Sequence, residues 1–272
     1  MTTTYIPDAA AGFKDGAAYD AFRSSYTPQA VDGLLTELGV NGITNAKVID
    51  LAAGTGKMTE LLAARKEQFQ VIAVEPVASM RDTLVAKQLN GVEVREGLAD
   101  QMNLEDASAD ALVAAQSFHW FANNDALKEI HRVLQPNGSL GMIWNIEDFN
   151  QPREWEPSSP WEGKVKEMIL SLDPTGPPRF RENKWWKIFN EGQKYFSIPI
   201  GTQRTQATVW LSREALHSRL NTLSHIFILD EARKADFFKK VDEALDGEGT
   251  EWNDKKEIAV HTSCFYAWTK KL

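Results

Sequence analysis

The sequence predicts an α/β fold built on a doubly wound, mostly parallel sheet. Three observations carry this reading. Strand and helix patterns alternate from residue 30 to residue 144. The first strand pattern ends in a glycine-rich bend that opens a helix. The second ends in an acidic residue, Glu75, about 20 positions beyond that bend, the spacing at which such folds bind a nucleotide ribose.

Each element follows from its pattern. Residues 30–38 set Val31, Leu34, Leu35 and Leu38 at helical spacing. The run VIDLAAGTG, from Val48 to Gly56, is a buried strand over 48–51 that closes on small residues. Gly54 and Gly56 lack the Cβ atoms that would hold a bound molecule away and tolerate backbone angles that other residues resist. The helix over 58–65 then points its free N–H groups at the occupant of the bend. Strands follow at 70–74, 92–96, 109–115 and 139–144, with helices at 79–88 and 126–134 between them. Pro136-Asn137-Gly138 marks the turn before the fifth strand. Such alternation implies βαβ units with both sheet faces covered.

The texture changes after Asn145, where Pro, Trp and charged residues break any long element. Short helices are expected at 161–172 and 182–190, a strand at 195–209, helices at 212–222 and 230–245, and a last strand at 261–269. The organisation read from this is one domain over 1–272. It comprises N-terminal helices (1–40), a cofactor-binding core (41–145), a lid insertion (146–190), and strands and helices that complete the sheet and the substrate pocket (191–272).

Composition narrows the function. The 272-residue chain is 43% hydrophobic, enough for a sizeable core. Its net charge is −8 and its sequence pI about 5.3, which argues against a nucleic-acid partner, since phosphate contacts need a basic face. A single cysteine, Cys264, excludes an internal disulfide and suits a reducing compartment. The N-terminus lacks a signal-peptide pattern and no apolar run approaches bilayer length, so no membrane partner and a cytoplasmic location are expected. Nothing in the pattern sets an oligomeric state.

The bend admits more than one cofactor class. A dinucleotide fingerprint needs a third glycine where Thr59 stands, and a P-loop needs Ser or Thr where Met58 follows Gly56-Lys57. Taken together, DLAAGTG, AVEPVASM, GLADQMNLEDASADALVAAQSFHWF and RVLQPNGSLGMIWN resemble the core of class I S-adenosylmethionine-dependent methyltransferases. Within that superfamily they are similar to the small-molecule branch containing trans-aconitate methyltransferase-like proteins. The likeness covers residues 15–145 and extends more loosely through SREALHSRLNTLSHIFIL and TSCFYAWTKK.

The resemblance implies a Rossmann-like methyltransferase fold: seven strands, the last inserted antiparallel, and a helical lid after strand five. It implies S-adenosyl-L-methionine as cofactor. Asp50, Ala52, Gly54, Thr55 and Gly56 would wrap its methionine half. Glu75 would take the ribose, with Pro76 and Met80 on the adenine. Gly97, Leu98 and Ala99 would line the adenine's other side, with Asp100 as acceptor for its amino group. Gln116 and Ser117 would lie near the transferable methyl. Arg23 and Tyr26 would close over the cofactor carboxylate, in a segment that keeps the family's tyrosines and arginine and lacks its proline.

Methyl transfer from a sulfonium chiefly requires alignment, and a general base only where the acceptor must lose a proton. His119, just past strand four, is the candidate catalytic base, or else a pocket wall. Phe118, Trp120, Trp144 and His225 are candidate substrate-pocket residues. The aromatic insertion, with Trp155, Trp161, Phe180, Trp185, Trp186 and Phe189, suits an apolar or aromatic small molecule, and each ring also suits a core. Arg179, Arg181 and Lys184 would either steer an anion or sit in solvent. QSFHWF replaces the [DN]-P-P-[FY] of enzymes that methylate base nitrogens. Asn145, Glu147 and Asp148 lack a matching ligand cluster, so no metal is expected. The expected activity is therefore metal-independent methyl transfer to a small molecule, either a secondary metabolite or a small organic acid. The alternatives are a methyltransferase-fold binder without methyl transfer and, behind it, a nicotinamide oxidoreductase.

Overall fold

The computed structural model describes residues 25–172 and 178–272. Seven strands form one sheet in the order β3-β2-β1-β4-β5-β7-β6. They are β1 (Lys47–Leu51), β2 (Gln70–Val74), β3 (Val92–Arg95), β4 (Ala109–Ala115), β5 (Leu134–Glu147), β6 (Gly201–Leu211) and β7 (Ile258–Lys270). The first five pair in parallel, and β7 inserts antiparallel between β5 and β6. β4 is the central strand, and it and its neighbour β1 are almost wholly buried, as expected where helices cover both faces.

The helices begin where their caps dictate. In α1 (Pro28–Glu37), Thr27 accepts the N–H of Ala30 and Pro28 takes the first turn, where a missing N–H costs nothing. The helices α2 (Lys57–Ala63) and α3 (Ala78–Ala86) follow β1 and β2. In α4 (Asn124–Val133), Asn123 accepts from Ala126 at 2.9 Å, and Ala126, Leu127, Ile130 and Val133 form the buried stripe. One core packs α1 and α2 on one face of the sheet, through Leu34, Leu35, Val48, Met58, Leu62 and Ile143. The opposite core joins Ile49, Leu51, Leu112 and Trp144 to α4.

The region from the end of β5 onward corrects four expectations. First, β5 runs on to Glu147, because its outer end pairs with β7 as far as Thr262. Second, the single helix expected at 182–190 is two 3₁₀ turns, Phe180–Glu182 and Lys184–Trp186, and a short α6 (Lys187–Asn190). Asn183, with φ 55°, interrupts the helical path. Third, the lid expected at 146–190 divides. Phe180, Trp185, Ile188 and Phe189 enter the main core beside Phe118 and Trp144. Trp161, Val165 and Ile169 of α5 (Pro160–Ser171) instead pack with α7 (Arg213–Asn221), α8 (Ser224–Phe227) and α9 (Glu231–Leu245) against Ile258 and Val260 of β7. Fourth, the strand expected from 195 starts at Gly201, since Phe196 and Ile200 turn inward to the core of Phe118 and Trp144. No helix among the described residues is long and apolar enough to cross a membrane.

Candidate functional site

The sheet's carboxyl edge gathers the sequence motifs. Beyond β1, the backbone turns through Ala52 (φ 55°) and Gly54 (φ 59°), both left-handed, the first an unusual conformation for a residue with a Cβ. Two carboxylates hold this bend. Glu75, at the end of β2, accepts the N–H of Gly54 at Oε2 and that of Val77 at Oε1, each at 2.8 Å. Asp50, at the end of β1, accepts the Thr59 hydroxyl at 2.6 Å. Burial pushes the Asp50 carboxyl up to about 7; the Thr59 bonds oppose this and the charge of Glu75 adds to it. Glu75 is also raised by burial, against its two backbone donors.

The glycines divide the labour differently from the sequence expectation. A Cβ on Gly54 would meet only Met80 Sδ, at 3.8 Å, so its conformation is what requires glycine. A Cβ on Gly56 would overlap Leu84 Cδ1 of α3, so this position serves helix packing as well as its φ of 92°. Thr55, Gly56 and Asp50 are buried, while Ala52, Ala53 and Gly54 keep open surface. The open surface of the bend is thus that of Ala52 to Gly54, with Asp50, Thr55 and Gly56 beneath it. Ala53 was not singled out by the motif, whose small residues look alike in sequence.

The other expected positions lie as follows. Met80 is buried below it, and Pro76 is half-buried beside it. Arg81 donates to the carbonyls of Glu75 and Pro76 at 2.9 and 2.7 Å, fixing the backbone of that pair; nothing in the motif had pointed to it. Gly97 is closed in by Val74 and Met102. Leu98 and Gln101 exchange two backbone bonds of 3.0 Å, which leaves Leu98, Ala99 and Asp100 half-buried. Past β4, Gln116 (φ 57°) donates to the Asn145 carbonyl at 2.8 Å, and Ser117 to the Leu51 carbonyl at 3.3 Å. Tyr26 is buried in the core with Val31, Met58 and Ile143, and Asn145 donates to the neighbouring Ser25 carbonyl. Arg23 lies outside the described residues.

The aromatic positions require correction. Phe118 and Trp144 are fully buried: Phe118 stacks on Phe189, and Trp144 packs 4.8 Å from Phe180 and 4.7 Å from Trp185. Neither presents surface to a ligand. His225 is buried in α8, next to Ile226 of the separate helical core, and Trp120 remains half-buried. Trp144 does act on the site, because its indole N–H donates to His119 Nδ1 at 3.0 Å. An indole nitrogen only donates, so Nδ1 is unprotonated and the neutral ring carries its hydrogen on Nε2. Burial, then Arg179 and Arg181, push this imidazole down to about 3. His119 is thus neutral at physiological pH, with one nitrogen occupied and the other an N–H donor. That arrangement counts against the general-base reading and favours the hydrogen-bonding one.

The Arg pair is not simply solvated. Arg181 is half-buried, bonds to Asn150 Oδ1 at 2.9 Å, and is pushed down to about 10 by burial and by Arg179. Lys184, by contrast, is exposed and pairs with Glu182. Among the described residues, no three His, Cys, Asp or Glu side chains converge as a metal site.

Residues 49–142 match the methyltransferase domain family. An uncharacterised methyltransferase-like protein of Schizosaccharomyces pombe is 35% identical over 233 residues, spanning 84% of this chain and 83% of that protein. A second uncharacterised methyltransferase of the same yeast is 34% identical over 231 residues, spanning 85% of each. A solved structure assigned as a type II methyltransferase, from Anaeromyxobacter dehalogenans, superposes with a TM-score of 0.67 at 20% identity, covering 92% of this chain and 98% of that one. The fold and its site thus define a Rossmann-like methyltransferase. The chain belongs to the class I S-adenosylmethionine-dependent methyltransferase family.

Proposed function

We propose that this protein binds S-adenosyl-L-methionine at the β1–β2 edge and transfers its methyl group to a small molecule without a metal. The observation that carries this is Glu75, whose two oxygens are each aimed by one backbone N–H beside the open bend from Ala52 to Gly54. A carboxylate oxygen accepts more than one bond, so each retains capacity for a ribose hydroxyl. The group fits the residues present: the left-handed bend leaves open surface, and Leu98 and Ala99 stand half-buried beyond β3 for a planar base. When bound, S-adenosylmethionine supplies a sulfonium methyl for in-line displacement. Asp50 and Thr59 fix the bend, and Gln116 and Ser117 line the approach to the methyl. His119 offers Nε2–H as a donor and takes no proton.

Calorimetry with S-adenosylmethionine and S-adenosylhomocysteine, then mass detection of one added CH₂ on a panel of small acids and aromatic metabolites, tests this reading. Binding with no methylated product would favour a cofactor-binding protein without transfer. Activity abolished by EDTA and restored by magnesium would remove the metal-free part.

A further inference from the structure

We propose that Arg81 is a positioning residue for cofactor binding, a clasp that joins the ends of β2 and β3 and holds Glu75 in place for the ribose. This rests on the methyltransferase reading above and names what keeps that same site in shape.

Three observations lead here. First, the backbone ladder between β2 and β3 stops at the site. Val71 and Glu75 donate to the Gly91 and Arg95 carbonyls at 2.9 and 3.0 Å. Alternate residues carry a parallel ladder, so Val77 is the next donor in line. Its N–H is turned instead onto Glu75 Oε1, and the Glu75 carbonyl is taken by Arg81.

Second, Arg81 spans the place where the ladder ends. From α3, its Nη1 donates to the Glu75 and Pro76 carbonyls at 2.9 and 2.7 Å, and its Nη2 to Glu96 Oε2 at 2.8 Å. One planar fork thus ties the end of β2 to the residue just past β3. Glu96 is exposed, so that arm alone is weak, and the two carbonyl bonds carry most of the hold. Third, the far side has no slack. Gly97 follows Glu96, and a Cβ there would press on Val74 Cγ1 at 2.8 Å and on the Met102 backbone at 3.1 Å.

Arg81 also acts on the charge of Glu75. Burial raises that carboxyl, and the Val77 and Gly54 N–H groups, then Arg81, lower it. From β1, Asp50 faces it as a like charge, while on β3 the Arg95 side chain turns to Glu93. Loss of Arg81 therefore raises Glu75, and a protonated carboxyl offers the ribose hydroxyls fewer acceptors.

The test is calorimetry on the full chain with S-adenosylhomocysteine, from about pH 4 to 8, beside the thermal midpoint of the unliganded protein. R81Q should bind roughly tenfold more weakly at neutral pH, the scale of one charge-assisted hydrogen bond. Its affinity should also fall at a higher pH on acidification than that of the wild type. R81K keeps the charge without the fork, so the acid limb should return while part of the affinity loss remains. E96Q should change affinity by less than about threefold. Combined with E75Q, R81Q should lose less than the sum of the single losses, because Arg81 acts through Glu75. A merely structural role would lower the midpoint and leave the acid limb where it was. Wild-type affinity in R81Q, an unmoved acid limb, or additive losses with E75Q would each overturn the proposal. If R81Q does not fold, R81K decides, since wild-type affinity there would remove the clasp. A wild type that fails to bind S-adenosylhomocysteine fails the methyltransferase reading, whereas a binding wild type with an indifferent R81Q fails Arg81 alone.

Discussion

Thr59 donates its hydroxyl to Asp50 Oδ2 across 2.6 Å, joining the first turn of α2 to the end of β1 beneath the bend. Both residues are buried, and Asp50 Oδ1 has no partner among the described residues. At the position where a dinucleotide fingerprint carries its third glycine, this chain has a side chain with a bonding task. Thr59→Val removes the hydroxyl while keeping the shape. It should cost about 1–2 kcal/mol of stability in chemical denaturation, the scale of a buried acceptor left unmet. An unchanged midpoint would mean that the bend is held without Thr59.

Asp50 also gives a pH signature. Its pKa is raised to about 7 in the folded protein from an ordinary 3.8, so the folded state holds a proton that the unfolded chain releases. Its contribution is complete below about pH 4 and declines as pH rises towards 7. The difference in stability between wild type and Asp50→Asn, followed by denaturation from pH 4 to pH 8, should therefore shift in favour of the variant with rising pH. A difference that stays flat would show that Asp50 titrates normally.

Glu75→Ala should weaken S-adenosylmethionine binding by roughly 1–3 kcal/mol, the range for losing charge-assisted bonds. Part of the loss is indirect, because Gly54 and Val77 lose their acceptor. Titration calorimetry checks it, and wild-type affinity in the variant would place the ribose elsewhere.

For His119, a pKa near 3 predicts that turnover, once a substrate is in hand, shows no ionisation from this ring between pH 5 and 8. His119→Asn, which keeps an acceptor for the Trp144 indole, should leave the shape of the pH profile unchanged. An apparent pKa near 6.5 that disappears in this variant would restore the general-base role.

Gly56→Ala should destabilise by about 1–3 kcal/mol, since its methyl overlaps Leu84. Leu84→Ala makes room, so the double variant should lose less than the sum of the single losses. Additive losses would assign the cost to backbone conformation alone.

These points show what was legible in the sequence. The parallel core was, because runs such as VIDL and QVIAV are mostly apolar and end in the bend and in Glu75. The last strand was read from its own pattern at 261–269, but its antiparallel insertion followed only from family likeness. The fate of the insertion was not legible. Trp161 and Trp185 are both fully buried indoles in short helical segments, yet they enter different cores, and only tertiary packing decides which. Trp144 was read as a pocket ring because nothing in QSFHWF or MIWN reveals the bond that links it to His119. Thr59 was visible as a departure from one motif, but its partner was not.

The position of β7 also constrains how the protein is assembled. Among the described strands, β6 has no neighbour except β7, which arrives only after α7, α8 and α9 have been made. During synthesis β6 must wait with both its edges bare, and the outer edge of β5 stands open until the same moment. Premature termination ahead of Ile258 would strand two sheet edges at once, so shortened chains should be sticky and poorly soluble even though the parallel half of the sheet is already complete.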